Sequence, residues 1–134
     1  MAGSEYYQDL VEENESILDS VKVQCGIPVS HHEFDQMIQL DINTALGILH
    51  QLGVGDPRKP FTVFDEDDTW ADFTCQVNMD MCKTFIALKV RELFDPPSGA
   101  AMDALKRNLD ELTWRITVAV EEDLRVNHKD WEED

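Results

Sequence analysis

The residues best equipped for chemistry are a run of acids, four histidines, three cysteines and three tryptophans. Asp65, Glu66, Asp67 and Asp68 offer oxygen ligands of the kind a divalent cation takes. They lack the alternating register, turn glycine and closing glutamate of a calcium-binding loop, so they read as a solvated loop with at most weak affinity for magnesium or calcium. His31 and His32 are neighbours whose side chains diverge at a helix start, while His50 and His128 stand alone in the chain. None has a second histidine three or four residues away, the spacing of metal ligands on a helix, so capping or solvent-facing roles are expected and no metal site. Cys25, Cys75 and Cys82 form an odd set without a CxxC pair, which supports neither a disulfide framework nor a zinc site and suits a reducing compartment. Cys25 and Cys82 occupy helical positions beside apolar residues and read as core fillers. The six glycines make no nucleophile elbow, phosphate loop or dinucleotide turn, so no catalytic residue and no cofactor are expected.

Trp70, Trp114 and Trp131 remain, and tryptophan is both costly to expose and common at the centres of protein interfaces. Trp114 lies off the apolar seam of its helix and covers a neighbour. Trp70 either anchors a long loop or makes a contact from it. Trp131, in a hydrophilic tail, is the leading contact residue.

The elements that position these groups follow from composition and periodicity. A chain of 134 residues with 43% apolar content builds one core. Its formal charge of −17 repels phosphate, which argues against conventional binding to DNA, RNA or anionic membranes. The N-terminal residues lack a basic segment followed by an apolar run, and no stretch approaches the ~18 apolar residues of a membrane span, so the protein is expected to be cytosolic when made.

The first helix is expected from Ser16 to about Cys25, ended by Gly26, Ile27 and Pro28. Ser30 and Glu33 have capping-box spacing and predict the start of a second helix. There Phe34, Ile38, Ile42, Ala45, Leu49 and Leu52 trace one stripe that Gly53 stops. Residues 53–73 begin with turn residues and hold one alternating piece, Phe61, Val63 and Phe64, which predicts a long loop or a short β-hairpin, with a helical turn over residues 69–72. A third, central helix over residues 77–94 carries two adjacent apolar rows. Asp95, Pro96, Pro97, Ser98 and Gly99 break the chain. In the fourth helix Met102, Leu105, Leu109, Leu112, Ile116 and Ala119 repeat in three-four alternation. Beyond Val120 the acidic tail is expected to fray unless a partner orders it. The predicted fold is therefore mainly α, a bundle of about four helices. Its divisions are an acidic N-terminal extension (1–15), a helical domain (16–122) and an acidic C-terminal tail (123–134).

Four stretches together resemble the head-tail connector, or adaptor, proteins of tailed bacteriophages and prophages: FDQMIQLDINTALGILHQLGVG, TWADF, KTFIALKVRELFDPP and LKRNLDELTWRITVAVEE. LFDPP in its helical setting is the most specific of them. The resemblance implies a structural virion protein of the neck that forms a ring, twelve-fold in the particle. The portal protein would sit above, a stopper or tail-completion protein below, and DNA would pass through the channel without sequence-specific binding. On that reading Asp56, Arg58, Phe61, Asp65, Glu66, Asp67, Asp68 and Trp70 are candidate contacts to a neighbouring subunit or the channel. Leu124, Val126, His128 and Trp131 are candidate contacts to the portal. The rival readings are a neck stopper or tail-completion protein and, in a different class, an acidic DNA-mimic inhibitor of a nucleic-acid enzyme.

Overall fold

The computed structural model describes residues 15–132, with side chains described as far as residue 127. Ser16 Oγ accepts the amide of Asp19 at 3.2 Å and opens α1 (Ile17–Gln24). Ile17, Leu18 and Val21 enter the core, and so does the whole side chain of Lys22. Gly26, in the left-handed region at φ +78°, turns the chain out of the helix.

The capping box expected from Ser30 and Glu33 does not start the next helix. The chain makes single turns instead, with the His31 amide on the Pro28 carbonyl at 3.0 Å and the Asp35 amide on the His32 carbonyl at 3.3 Å. Helix α2 (Asp35–Gln51) then begins after Phe34, which makes no side-chain cap. Lys22 outweighs the box: its Nζ donates to the Val29 carbonyl at 2.9 Å and pairs with Asp35 at 2.8 Å. That pins residues 29–35 in turns and sets a carboxylate in the first turn of α2, where the helix dipole favours it. Ile38, Ile42, Ala45 and Leu49 are buried as predicted, joined by Leu46. Phe34 lies at the stripe's end, its ring edge-on to Phe94 at 5.4 Å.

Gly53 ends α2 for two reasons. Its φ is +102°, and a Cβ there would lie 2.7 Å from Val120 Cγ1. Of the two forms predicted for the next stretch, the loop is the one present: the described residues contain no strand, only an isolated bridge between Ser16 and Thr69. The predicted turn is a 3-10 helix, Trp70–Asp72, closed by a capping box between Thr69 and Asp72. Four stitches fasten the loop. Asn43 bonds both backbone groups of Val63, Trp70 Nε1 donates to Ser20 Oγ at 3.1 Å, and the Gln76 amide spans the Gly53 carbonyl and the Gly55 amide. The Ile17 amide also donates to the Asp68 carbonyl at 3.0 Å.

Helix α3 (Met79–Phe94) is capped by Asn78 and packs against all three other helices, which is why its apolar stripe is wide. Cys82, Phe85, Ile86 and Val90 are its buried members. Helix α4 (Gly99–Glu132) has 34 residues, about 50 Å at 1.5 Å per residue, twice the span of α2. Leu105, Leu109, Ile116 and Val120 are buried, so Val120 rather than Ala119 closes the seam. Past Val120 the chain does not fray as expected but remains helical to Glu132.

Candidate assembly surfaces

The acidic loop is closed by its own carboxylates. Asp68 Oδ2 accepts the amides of Phe64 at 2.6 Å and Asp65 at 3.2 Å, and Asp65 Oδ1 accepts that of Asp67 at 2.8 Å. Two carboxylates of the run thus shape the turn. Asp65, Glu66 and Asp67 face solvent beside it, and Asp68 is half-buried. Asp56 Oδ1 accepts the Arg58 amide at 2.9 Å, while the two side chains make only a loose ion pair at 3.9 Å. Both are exposed, and Asp56 lines one cleft of the loop together with Asp68. The two predicted aromatics turn inward instead. Phe61 packs on Phe73 at 5.4 Å between ring centroids, and Trp70 is 4% exposed, with Lys83 Nζ 5.2 Å from its ring centroid. The aromatic that the loop does present is Phe64, 73% exposed. Asn43 holds Val63 inward, and strand-like alternation at that point turns the next side chain outward.

Where the loop meets the start of α2, ligand atoms of His32, Asp35 and Glu66 lie within 4.8 Å of one another. These are the described residues that could hold a cation, and sequence spacing could not reveal them because Glu66 comes from the loop. The site is already supplied with positive charge. Asp35 is held below the usual carboxylate range chiefly by Lys22 and also by His32, whose Nδ1 lies 2.8 Å from Oδ2. A metal ion there would compete with a buried ammonium. His50 Nε2 is buried without a hydrogen-bond partner.

A second pair escaped the sequence pattern. Cys75 Sγ and Cys82 Sγ are 3.5 Å apart, one before the cap of α3 and one in its first turn. The contact with Cys82 pulls the Cys75 thiol down to about 7, and the same contact, with burial, pushes Cys82 up. Burial also raises Cys25. Cys82 is a core filler as predicted.

The remaining accessible apolar groups lie on two helices. The outer side of α2 exposes Met37 and Leu40, 57% and 67%, and the outer side of α4 exposes Trp114, 66%, with Val118 one turn further on. Trp114 therefore covers no neighbouring helix. Leu124 and Val126 are also exposed, on the part of α4 beyond its buried seam. His128 and Trp131 lie outside the residues whose side chains are described.

No helix among the described residues is long and apolar enough to cross a membrane. A family model described as phage connector protein matches residues 17–123, which takes in α1, α2, the loop, α3 and α4 to three residues past Val120. No curated protein and no solved structure gives a match.

Proposed function

The chain belongs to the phage connector protein family, and from that premise we propose that it is the head-tail adaptor, closing into a ring beneath the portal. In the particle the ring is twelve-fold, and a stopper or tail-completion protein occupies its far side. DNA passes through the ring toward the tail without being read.

The observation that carries this reading is the extent of the family match, which covers the helical core and leaves the two acidic ends outside it. The charge supports it. At −17 per copy, a ring presents a dense negative wall to any passing duplex, and phosphates are repelled within about 8 Å of it at physiological salt. Such a wall discourages adhesion at any sequence.

Two surfaces supply the contacts. The loop face with Asp56, Arg58, Asp65, Glu66, Asp67 and Asp68 reaches the neighbouring subunit or the channel, anchored from within by Phe61 and Trp70. The extension of α4 past Val120 carries Leu124 and Val126, with His128 and Trp131 beyond, and docks on the portal. A helix without a core beneath it is stabilised mainly by what it packs against, so the partner supplies the missing face.

Two variants test these assignments. Removal of residues 121–134 is expected to leave the melting temperature nearly unchanged and abolish portal binding; a truncated protein that binds portal at full strength contradicts the tail assignment. Joint neutralisation of the exposed loop charges, Asp56→Asn, Arg58→Gln, Glu66→Gln and Asp67→Asn, which spares the buried Val63 and Trp70, is expected to leave a folded monomer, and persistence of the ring contradicts the loop assignment.

A further inference from the structure

A ring needs two different faces that fit each other, because a face that fits itself closes a dimer. We propose that Trp114, on the outer side of α4, seats over Gly47 on the outer side of α2 in the next copy. This rests on the ring reading and names the contact that makes it.

On α4, Trp114 points away from the seam of Leu105, Leu109, Ile116 and Val120, and Val118 and Arg107 share its side of the helix. An indole two-thirds exposed on a rigid helix is the kind of group that anchors interfaces. It has no packing task within its own copy.

On α2, Met37, Leu40, Thr44 and Gly47 follow one another at spacings of three, four and three along the side opposite the buried stripe. Gly47 is anomalous there. It sits inside a helix, where glycine is among the poorest formers. It is not among the glycines at positive φ, and a Cβ added to it would meet nothing within 4 Å. Neither the backbone nor the packing of a single copy calls for a glycine, whereas a bulky group from outside would need the notch it leaves next to Leu40 and Thr44.

Charge selects the same pairing. Copies at −17 repel, so a stable contact must set local positive charge against negative. Helix α2 carries Asp41 and, already paired with Lys22, Asp35, and it has no lysine or arginine; the Asn43 stitch hangs the acidic loop beside it. In residues 105–118 of α4 Arg115 is paired with Glu111, which leaves Lys106 and Arg107 against Asp110, a locally positive stretch in an acidic chain. An apolar, cationic plug thus meets an apolar, acidic socket.

The full-length wild type, Trp114→Ala and Gly47→Gln should be compared by sedimentation and particle imaging, alone and with purified portal. Gly47→Gln is the discriminating variant. Within one copy it exchanges a poor helix former for a good one in open space, so its melting temperature should rise. Ring formation should nevertheless weaken about ten-fold or more in both variants, the change that follows truncating or blocking the centre of an interface. Rings from both variants at wild-type concentrations would overturn the pairing and leave the ring reading standing. Loss of assembly in Trp114→Ala but not in Gly47→Gln, or two-fold dimers in place of rings, would equally overturn it. A wild type that stays monomeric with and without portal would remove the ring reading and this contact with it.

Discussion

Replacing Asn43 with alanine cuts the stitch between α2 and the loop. Asn43 Nδ2 donates to the Val63 carbonyl at 3.0 Å and Oδ1 accepts the Val63 amide at 2.8 Å, while the Val63 side chain is fully buried. Two hydrogen bonds of about 1 kcal/mol each are lost. The freed backbone groups then either stay inside without partners, at about 1 kcal/mol or more, or swing out to water and surrender about 1.5 kcal/mol of Val63 burial. Both routes give a loss of about 3 kcal/mol, or about 12 °C in melting temperature at about 4 °C per kcal/mol for a chain of this size. Asn43→Asp keeps an acceptor for the amide but faces the carbonyl with a carboxylate, so it should not rescue. Urea unfolding followed by tryptophan fluorescence measures the loss, with an unchanged m-value showing that the native state is still compact. Hydrogen exchange should quicken across residues 61–65. A loss below about 0.5 kcal/mol, the range of ordinary surface substitutions, or unaltered exchange in the loop, would show that Asn43 does not hold the loop.

Lys22→Met keeps the apolar stem in the core but leaves the Val29 carbonyl and Asp35 without their ammonium, a loss of about 3 kcal/mol by urea midpoint. Because Asp35 is lowered in the folded state, the pair stabilises fully above the ordinary carboxyl value and the benefit fades as pH falls through the folded one, so the gap between wild type and Lys22→Met should narrow in acid. Gly53→Ala forces both a left-handed backbone and a collision with Val120, and should cost about 2 kcal/mol or more. Gly26→Ala, at φ +78° in open space, should cost about half of that, and the reverse order in thermal melts would contradict the packing described at Val120. Cys75 should be alkylated with a half-maximal rate near pH 7, and Cys82→Ala, which removes the thiol donor, should move that midpoint upward by mass-spectrometric rate measurement.

Periodic segments were legible in the sequence because burial imposes a repeat that residue types must follow. The stripe of α2, most of that of α4 and the break at Gly53 appear where the pattern puts them, and the second break falls at Asp95 to Ser98, with Gly99 already in α4. Ser30 and Glu33 misled because local capping energy competes with the ion pair from Lys22, which lies in another helix and thirteen positions from Asp35. Ala119 yielded its place in the seam to Val120, since a straight helix drifts against a three-four repeat and the larger residue lies against Gly53. The side-chain groupings built between segments stayed hidden. Glu66 beside His32, and Cys75 beside Cys82, are brought together by loop folding that no spacing encodes. Phe64 breaks the alternation of Phe61 and Val63, being adjacent to Val63, and it faces out where they face in. Met37, Leu40 and Gly47 carried a signal that only a known helix axis makes readable: apolar and small residues on the side where polar ones are the rule.

The most direct test of the ring reading is particle imaging of the full-length protein mixed with its cognate portal, beside the protein alone. The expected result is a symmetric twelve-fold ring seated on the portal, with the α4 extension at the contact. Soluble monomers that ignore the portal would contradict it.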